Sequence, residues 1–184
     1  MARVAGKLIV LLFLLFLLSA CAGSAPPQLA PVGDVIPAGV SLEGRWKLQD
    51  GARDAESRIR RAENRSSGGQ RGEDGPSVYV FLRTGDRLKI SQTPYALFVS
   101  FDRSVVEEYR FREHRLVSVG PIEADRVSGW ADGKYVVRTL DNEGALLEES
   151  YALEAGGELL VRTVTLTYRK NTVLSLRQAY DRLD

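Results

Sequence analysis

Apolar and polar residues alternate along most of the chain after residue 77, as in Arg87-Leu88-Lys89-Ile90-Ser91. A period of two is typical of half-buried β-strands. The pattern predicts strands over residues 78–82, 87–91, 95–101, 105–111, 116–119, 126–131, 134–140, 145–153, 158–168 and 172–180. Turn-forming residues separate these strands, and Asp132-Gly133 is the strongest hairpin signal among them.

The spacing of these strands predicts an all-β fold. Short strands every ~8–12 residues favour a sandwich or a barrel. Successive hairpins favour an antiparallel up-and-down meander, which closes into a barrel because closure removes exposed edges. The interior of such a barrel is either filled by side chains or open to one small ligand, and both remain open here.

The domain begins before these strands, near Leu42, where Trp46 and Leu48 alternate with Lys47 to predict a first strand. Residues 50–76 then form a charged insertion, with a short helix in its first half and a loop in its second. The apolar stripe of that helix is thin, consisting of Ala52, Ala55, Ile59 and Ala62. We interpret the segment as a solvated insertion, and a lid or docking arm is the alternative.

The N-terminus has the layout of an export signal. Arg3 and Lys7 precede eleven consecutive apolar residues, Leu8 to Leu18, and small residues follow. The apolar run is too short to cross a bilayer, which needs about 20 residues. We therefore expect residues 1–20 to be a signal peptide that directs the chain out of the cytoplasm.

The end of this signal, Leu18-Ser19-Ala20-Cys21, resembles the lipobox of bacterial lipoproteins. The resemblance implies cleavage before Cys21 and attachment of lipid to its sulfur and its new amino group. Ala22 follows, rather than an aspartate. In Gram-negative lipoproteins, to which this is similar, that pattern implies an outer-membrane protein facing the periplasm. An ordinary signal with a chance cysteine is the alternative.

The mature chain then divides into two parts. Residues 21–41 contain the anchor and a Pro- and Ala-rich segment that we expect to be a flexible tether, and residues 42–184 form a single β domain.

The mature chain is almost neutral. Without Arg3 and Lys7, 23 basic and 24 acidic side chains remain, for a net charge of −1. This balance argues against nucleic acid as a partner. Because Cys21 is the only cysteine, no disulfide forms within the chain.

The first strand carries a second resemblance. Gly44-Arg45-Trp46, ahead of an antiparallel meander, is similar to the Gly-x-Trp opening of lipocalins and other calycins. The resemblance implies that Trp46 closes the base of a barrel and that a basic side chain of the last strand packs over it. Arg177 is the first choice for that role, and Arg182 is the second.

The order of elements over the whole domain resembles a group of uncharacterised bacterial envelope proteins. The shared features are the Gly-x-Trp strand, the Arg-rich insertion, the meander and the final Tyr180-Asp181-Arg182. This resemblance implies an exported β-rich protein and no particular chemistry.

Candidate catalytic groups are few. His114 is the only histidine, it lies in a charged stretch, and no Gly-x-Ser-x-Gly accompanies it, so we expect a surface histidine. Glu107-Glu108 and Glu148-Glu149 each place one carboxylate on the inner face of a strand. Inward Glu107 or Glu149 would suit an envelope hydrolase, although pairing with arginine across the sheet is the simpler expectation. The arginines considered for that pairing are Arg110, Arg138 and Arg162.

The sequence therefore favours a noncatalytic binding or assembly module that is anchored to a membrane through Cys21, with no cofactor and no metal. A lipocalin-like carrier of a small apolar ligand is the alternative, and the partner is then that ligand rather than another envelope protein. The carrier hypothesis depends on aromatic residues that would line the interior: Tyr79, Phe81, Tyr95, Phe98, Phe101, Tyr109, Phe111, Trp130, Tyr135, Tyr151 and Tyr168.

Overall fold

The computed structural model describes residues 28–49, 52–66 and 76–183, and within them ten strands form one antiparallel sheet. The strands are β1 (Gly44–Leu48), β2 (Arg87–Gln92), β3 (Ala96–Phe101), β4 (Val105–Arg110), β5 (His114–Val119), β6 (Ile122–Ala131), β7 (Lys134–Asp141), β8 (Leu146–Glu154), β9 (Leu159–Tyr168) and β10 (Asn171–Leu183). Their spatial order is β4-β3-β2-β1-β10-β9-β8-β7-β6-β5, so the first and last strands are neighbours. The predicted all-β meander is confirmed.

The sheet curls into a barrel whose seam lies between β4 and β5. Just beyond β4, Phe111 forms a bridge with Ser128 of β6, and the amide of Arg112 donates to the Ser128 carbonyl at 3.2 Å. Ion pairs also cross the seam, including Arg115 to Glu108 at 3.6 Å. One continuous curled sheet is the arrangement expected of a barrel rather than a two-sheet sandwich.

The strand directions define two ends of the barrel. We call the end where β1 begins the lower end and the end where β1 finishes the upper end. The helix α1 (Ala52–Ser66) follows β1 at the upper end, as the sequence predicts. The β6–β7 turn lies at the lower end, where Asp132 and Gly133 both have positive φ, 50° and 75°. This is the left-handed pair that an Asp-Gly hairpin requires.

The strand predicted over residues 78–82 is wrong. Residues Ser77–Phe81 form a 3₁₀ helix at the upper end, directly after Pro76. The Asp141 carboxylate accepts hydrogen bonds from the Val78 amide at 3.1 Å and the Ser77 hydroxyl at 3.0 Å. These bonds fix the segment across the barrel opening, where a chain can bury apolar residues without pairing to a strand.

The prediction of a flexible tether reaching residue 41 is also wrong in its C-terminal part. Val32 packs against Val127 and Val136 on the outer wall, and the Gly33 carbonyl accepts a hydrogen bond from the Trp130 amide at 2.7 Å. Leu42 is fully buried among the residues of the lower end. The prolines of this segment prevent regular structure, but its few apolar side chains are enough to hold it against the barrel.

Residues 1–27 lie outside the described part of the chain, and so does the signal and lipidation prediction at Cys21. Within the described residues, no helix is both long and apolar enough to cross a membrane.

Candidate functional site

The barrel interior consists of two apolar clusters with a polar layer between them. Strands β8, β9 and β10 show the pattern, because each contributes an apolar side chain above and below a polar one. On β9, Leu160 belongs to the lower cluster, Arg162 to the polar layer and Val164 to the upper cluster. The register places Gln178 directly opposite Arg162, whereas Glu149 is opposite Val164 and reaches Arg162 diagonally.

The lower cluster is filled with large side chains. Trp46, Tyr135, Tyr151, Leu160 and Tyr180 have no exposed surface. A side chain without accessible surface has no water-sized space beside it, so the interior is packed solid at this level. Trp130 and Phe111 add ring contacts to Tyr135 at 5.5 and 5.4 Å between centroids.

The base of the lower cluster is closed by Trp46, and Arg182 is the side chain that covers it. The Arg182 guanidinium carbon lies 4.2 Å from the Trp46 ring centroid, and its Nη1 donates to the Glu43 carbonyl at 3.0 Å. A Cβ at Gly44 would lie 2.7 Å from that Nη1, so glycine leaves the room that the arginine needs.

The prediction that Arg177 plays this role is wrong. Arg182 pairs with Trp46 in the sheet and therefore points to the same face. Arg177 is an odd number of residues away, faces outward and forms an exposed ion pair with Glu154 at 3.1 Å. The alternation of Leu174 and Leu176 with polar residues is the sequence signal that identifies the outward face.

The centre of the polar layer is a fully buried ion pair between Glu149 and Arg162. Arg162 Nε donates to Glu149 Oε2 at 3.0 Å, and its Nη1 donates to Gln178 Oε1 at 3.0 Å. The Tyr151 hydroxyl donates to the same carboxylate oxygen at 3.2 Å, and burial raises the pKa of Tyr151 well above its usual value. The Phe101 ring lies 5.2 Å from the guanidinium carbon.

A second ion pair lies closer to the seam. Glu107 points inward and accepts from Arg126 Nη1 and Arg83 Nε, each at 3.1 Å. Arg126 also donates to the Thr139 hydroxyl at 3.0 Å. The predicted inward position of Glu107 is correct, but neither partner arginine was among those considered. Arg83 lies just after the 3₁₀ helix, so its contact with Glu107 depends on where that helix crosses the barrel opening.

Neither buried carboxylate is arranged for hydrolysis. Glu149 is 1% exposed and is bonded to Arg162, so neither a substrate nor an attacking water has room beside it. The outward members of the two pairs, Glu108 and Glu148, bind Arg110 and Arg138. His114 is exposed, and its Nε2 lies 3.2 Å from Asp125. Among the described residues, no group of three acidic, histidine or cysteine side chains is placed to hold a metal ion.

The predicted aromatic lining is correct for most positions and wrong for two. Tyr95 lies in the β2–β3 turn and is 79% exposed. Phe98 lies between inward Leu97 and Val99 and faces outward, half-buried. The remaining nine aromatic residues contribute to the lower and upper clusters or pack against them.

The upper cluster is mainly aliphatic, with three aromatic residues, Tyr79, Phe81 and Tyr168, and it is covered by α1 and the 3₁₀ helix. The wall contributes Leu147, Val164, Leu166, Leu174 and Leu176. From the cover come Phe81 and Val78 of the 3₁₀ helix and, from α1, mainly Ala55 and Ala62, with Ile59 partly buried. The upper opening is therefore closed by two helices, of which α1 buries mainly small side chains and the 3₁₀ helix buries larger ones.

The polar layer includes one group without a partner next to this cover. Gln178 is 5% exposed, and its Nε2 donates no hydrogen bond within the described residues. Gln178 also lines a cleft of about 130 Å³ between α1 and β10, together with Asp54, Arg58 and Leu176. Arg58 crosses this cleft and donates from Nη2 to the Ser175 carbonyl at 2.7 Å, rather than pairing with Asp54.

Comparison with known proteins identifies the fold. A scan of protein-family models and a search of curated proteins found no match. Solved structures do match. A secretory abundant heat soluble protein from Ramazzottius varieornatus is 13% identical, over 79% of this chain and 97% of that one, with a TM-score of 0.50. Apo lipid binding protein 8 from Caenorhabditis elegans is 14% identical, over 79% of this chain and 100% of that one, with a TM-score of 0.51. At these identities the likeness concerns the fold alone, and it confirms the lipocalin-like barrel that the sequence predicts.

Proposed function

We propose that this protein is a noncatalytic binding protein, held at a bacterial membrane by lipid on Cys21, whose barrel takes up a small apolar molecule. The ligand enters at the upper end and displaces α1. It then lies in the upper cluster, with its head at the polar layer.

The observation that carries this proposal is that α1 buries little apolar surface over an apolar cluster. The wall beneath α1 consists of leucine and valine side chains, which suit an apolar ligand. The two buried methyl groups of Ala55 and Ala62 contribute roughly 1–2 kcal/mol together to holding the helix down. A ligand that buries more apolar surface than these methyl groups can replace the helix.

The polar layer predicts that the ligand is uncharged. Arg162 and Arg126 already bind Glu149 and Glu107, so the carboxylate of a fatty acid would find no free arginine in this layer. An unpaired buried charge is costly. The Gln178 Nε2 atom, in contrast, has no acceptor among the residues that the structure describes, and leaving such a donor unsatisfied costs about 1–3 kcal/mol. A hydroxyl or carbonyl oxygen at the ligand's head would accept its hydrogen bond.

The likeness to a lipid binding protein adds support at the level of the fold. Lipid binding protein 8 has a similar fold, with a TM-score of 0.51. The presence of this fold around an aliphatic compartment is consistent with a carrier.

The decisive experiment compares two ligands of equal chain length, hexadecanol and palmitate, at neutral pH. Both would compete with a neutral fluorescent probe for the purified protein, and native mass spectrometry would give the stoichiometry. We expect one molecule per chain and at least tenfold tighter binding of the alcohol, since about 1.4 kcal/mol separates tenfold affinities. Tighter binding of palmitate would contradict the neutral head group, and no binding of either would contradict the carrier.

The packed lower cluster favours a second candidate function, that of an assembly module whose interior is purely structural. Trp46, Tyr135 and Tyr180 have no exposed surface. If the upper cluster also stays packed and admits no ligand, the protein acts through its outer surface. A protein that is always empty in native mass spectrometry and does not bind the neutral probe would favour this function.

The membrane anchor is supported by Leu18-Ser19-Ala20-Cys21, and Ala22 favours the outer membrane facing the periplasm. The anchor predicts that Cys21→Ser abolishes labelling by a palmitate analogue and either releases the protein from membranes or leaves the precursor uncut. Unchanged labelling and membrane association in that variant would refute the anchor. Ser19→Ala is the matched control, and we expect it to keep both.

A further inference from the structure

The outer wall of β1 and β2 carries a square of four cations. Because Trp46 and Leu88 point inward, their neighbours Arg45, Lys47, Arg87 and Lys89 all point outward. The register places Arg45 opposite Lys89 and Lys47 opposite Arg87. Like charges directly opposite on neighbouring strands destabilise a sheet. The pairing of β1 with β2 therefore gains no attraction between these cations.

A groove of about 430 Å³ lies along this wall. Its polar lining comprises Arg45, Arg87, Lys89, Arg103 and Ser100, and no carboxylate lines it. Arg103 reaches the rim from the β3–β4 turn, where it has a positive φ of 63°. Leu183 adds an apolar surface, and the aliphatic stems of the arginine and lysine side chains extend it.

Three cations of the groove, Arg87, Lys89 and Arg103, differ from other arginines of the barrel in their ion pairs. Arg83, Arg110, Arg138 and Arg177 each form an ion pair with a glutamate. Within residues 28–49, 52–66 and 76–183, no ion pair involves the side chains of Arg87, Lys89 or Arg103.

The nearest carboxylates are engaged elsewhere. Asp102 accepts from the backbone amides of Asp86 and Arg87 at 3.2 and 2.8 Å. Asp181 lies beside Lys47 in the sheet and accepts from the Gln49 side-chain amide at 2.7 Å. The groove thus keeps a local excess of positive charge on a molecule that is nearly neutral overall.

We propose that this groove binds the phosphate group of an amphiphilic molecule. A phosphate carries one to two negative charges and several acceptor oxygens, which guanidinium groups bind in bidentate fashion. Arg87, Lys89 and Arg103 supply the cations, and Leu183 contacts the apolar part. The site is on the outer wall, so it is separate from the interior compartment and is not affected if that compartment proves empty.

The test uses dihexanoyl phosphatidic acid, a phospholipid short enough to dissolve as single molecules, and measures binding to the purified protein by calorimetry. We expect saturable binding of one molecule per chain. The double variant Arg87→Gln/Lys89→Gln should weaken it by about tenfold or more, because it removes two charge-assisted contacts. The matched control is Lys134→Gln/Lys170→Gln, which removes the same charge from exposed positions at or beside hairpin turns and should change affinity less than about twofold.

Two further arms distinguish the source of the phosphate. Inorganic phosphate tests a free anion, and phosphatidylcholine vesicles with and without phosphatidic acid test a bilayer headgroup. Binding in either arm that depends on Arg87 and Lys89 supports the site. An equal loss in the control variant would show general charge attraction and overturn the proposal, as would the absence of saturable binding to every phosphate probe. Circular dichroism and thermal melting would confirm that both double variants are folded.

Discussion

The two ends of the barrel are closed in different ways. At the lower end, Leu42 and Trp46 enter a solid layer of aromatic rings, and Arg182 covers the indole with hydrogen bonds to two backbone carbonyls. At the upper end, α1 covers aliphatic side chains with Ala55 and Ala62. Both closures exclude water, but the lower one buries an indole and several phenol rings, whereas α1 at the upper end buries only two alanine methyl groups and part of Ile59. The comparison indicates that the lower end stabilises the fold and that the upper end is the part able to open.

The largest difference should appear when one apolar side chain is removed from each end. Trp46→Ala should lower the free energy of unfolding by up to about 5 kcal/mol, because it leaves a large cavity in a packed layer. Ile59→Ala, in the half-buried stripe of α1, should cost only about 1 kcal/mol. Urea unfolding measures both values. Equal losses would mean that the two ends are equally important for stability.

Alkaline pH should destabilise the fold through the buried tyrosines of the lower cluster. Burial raises the pKa values of Tyr109, Tyr135 and Tyr151 above the usual value of 10. A raised folded pKa favours the neutral phenol, so its stabilising effect is complete below pH 10 and is lost as the pH rises above 10. One pH unit above 10, three such tyrosines together remove about 4 kcal/mol from the stability of the fold. Urea titrations at pH 9, 10 and 11 would show the loss, and a flat profile would contradict it.

In the polar layer, the stability lost on neutralising a glutamate should depend on how deeply its ion pair is buried. Glu149→Gln leaves the fully buried Arg162 without a counter-charge and should cost about 3 kcal/mol. Glu107→Gln should cost about half as much, because its side chain is 17% exposed and Arg83 is 31% exposed. Thermal unfolding of the two variants side by side provides the measurement. A greater loss of stability for Glu107→Gln than for Glu149→Gln would contradict the prediction that the more deeply buried ion pair is the more important one.

The smallest expected changes in stability are those caused by replacing Arg182 or Arg177. Arg182→Gln removes the cation over the Trp46 ring and should cost about 1 kcal/mol while changing tryptophan fluorescence. Arg177→Gln removes an exposed ion pair and should change stability by less than about 0.5 kcal/mol, with no spectral change. If Arg177→Gln altered the fluorescence and Arg182→Gln did not, the assignment of the capping residue would be refuted.

Local pattern was sufficient to predict most of the elements. The period of two located the strands from β2 to β10, and Asp132-Gly133 located its hairpin, because both depend on neighbouring residues. The strand prediction failed at residues 78–82, a continuous apolar run whose first four residues lie in a 3₁₀ helix. The Asp141 carboxylate that holds this helix is more than 60 residues away. The packing of Val32 against Val127 and Val136 likewise depends on a surface that exists only after folding.

The sequence by itself determined which side chains share a face of the sheet, because alternation along an extended chain is a local property. It was therefore sufficient to predict the all-β meander, the charged helix after β1 and the inward direction of Glu107 and Glu149. Only the tertiary structure decided which residues meet across that interior. It paired Glu149 with Arg162, placed Arg126 and Arg83 on Glu107, and set Arg182 rather than Arg177 over Trp46. Such partners come from register and barrel closure, which join strands far apart in the chain.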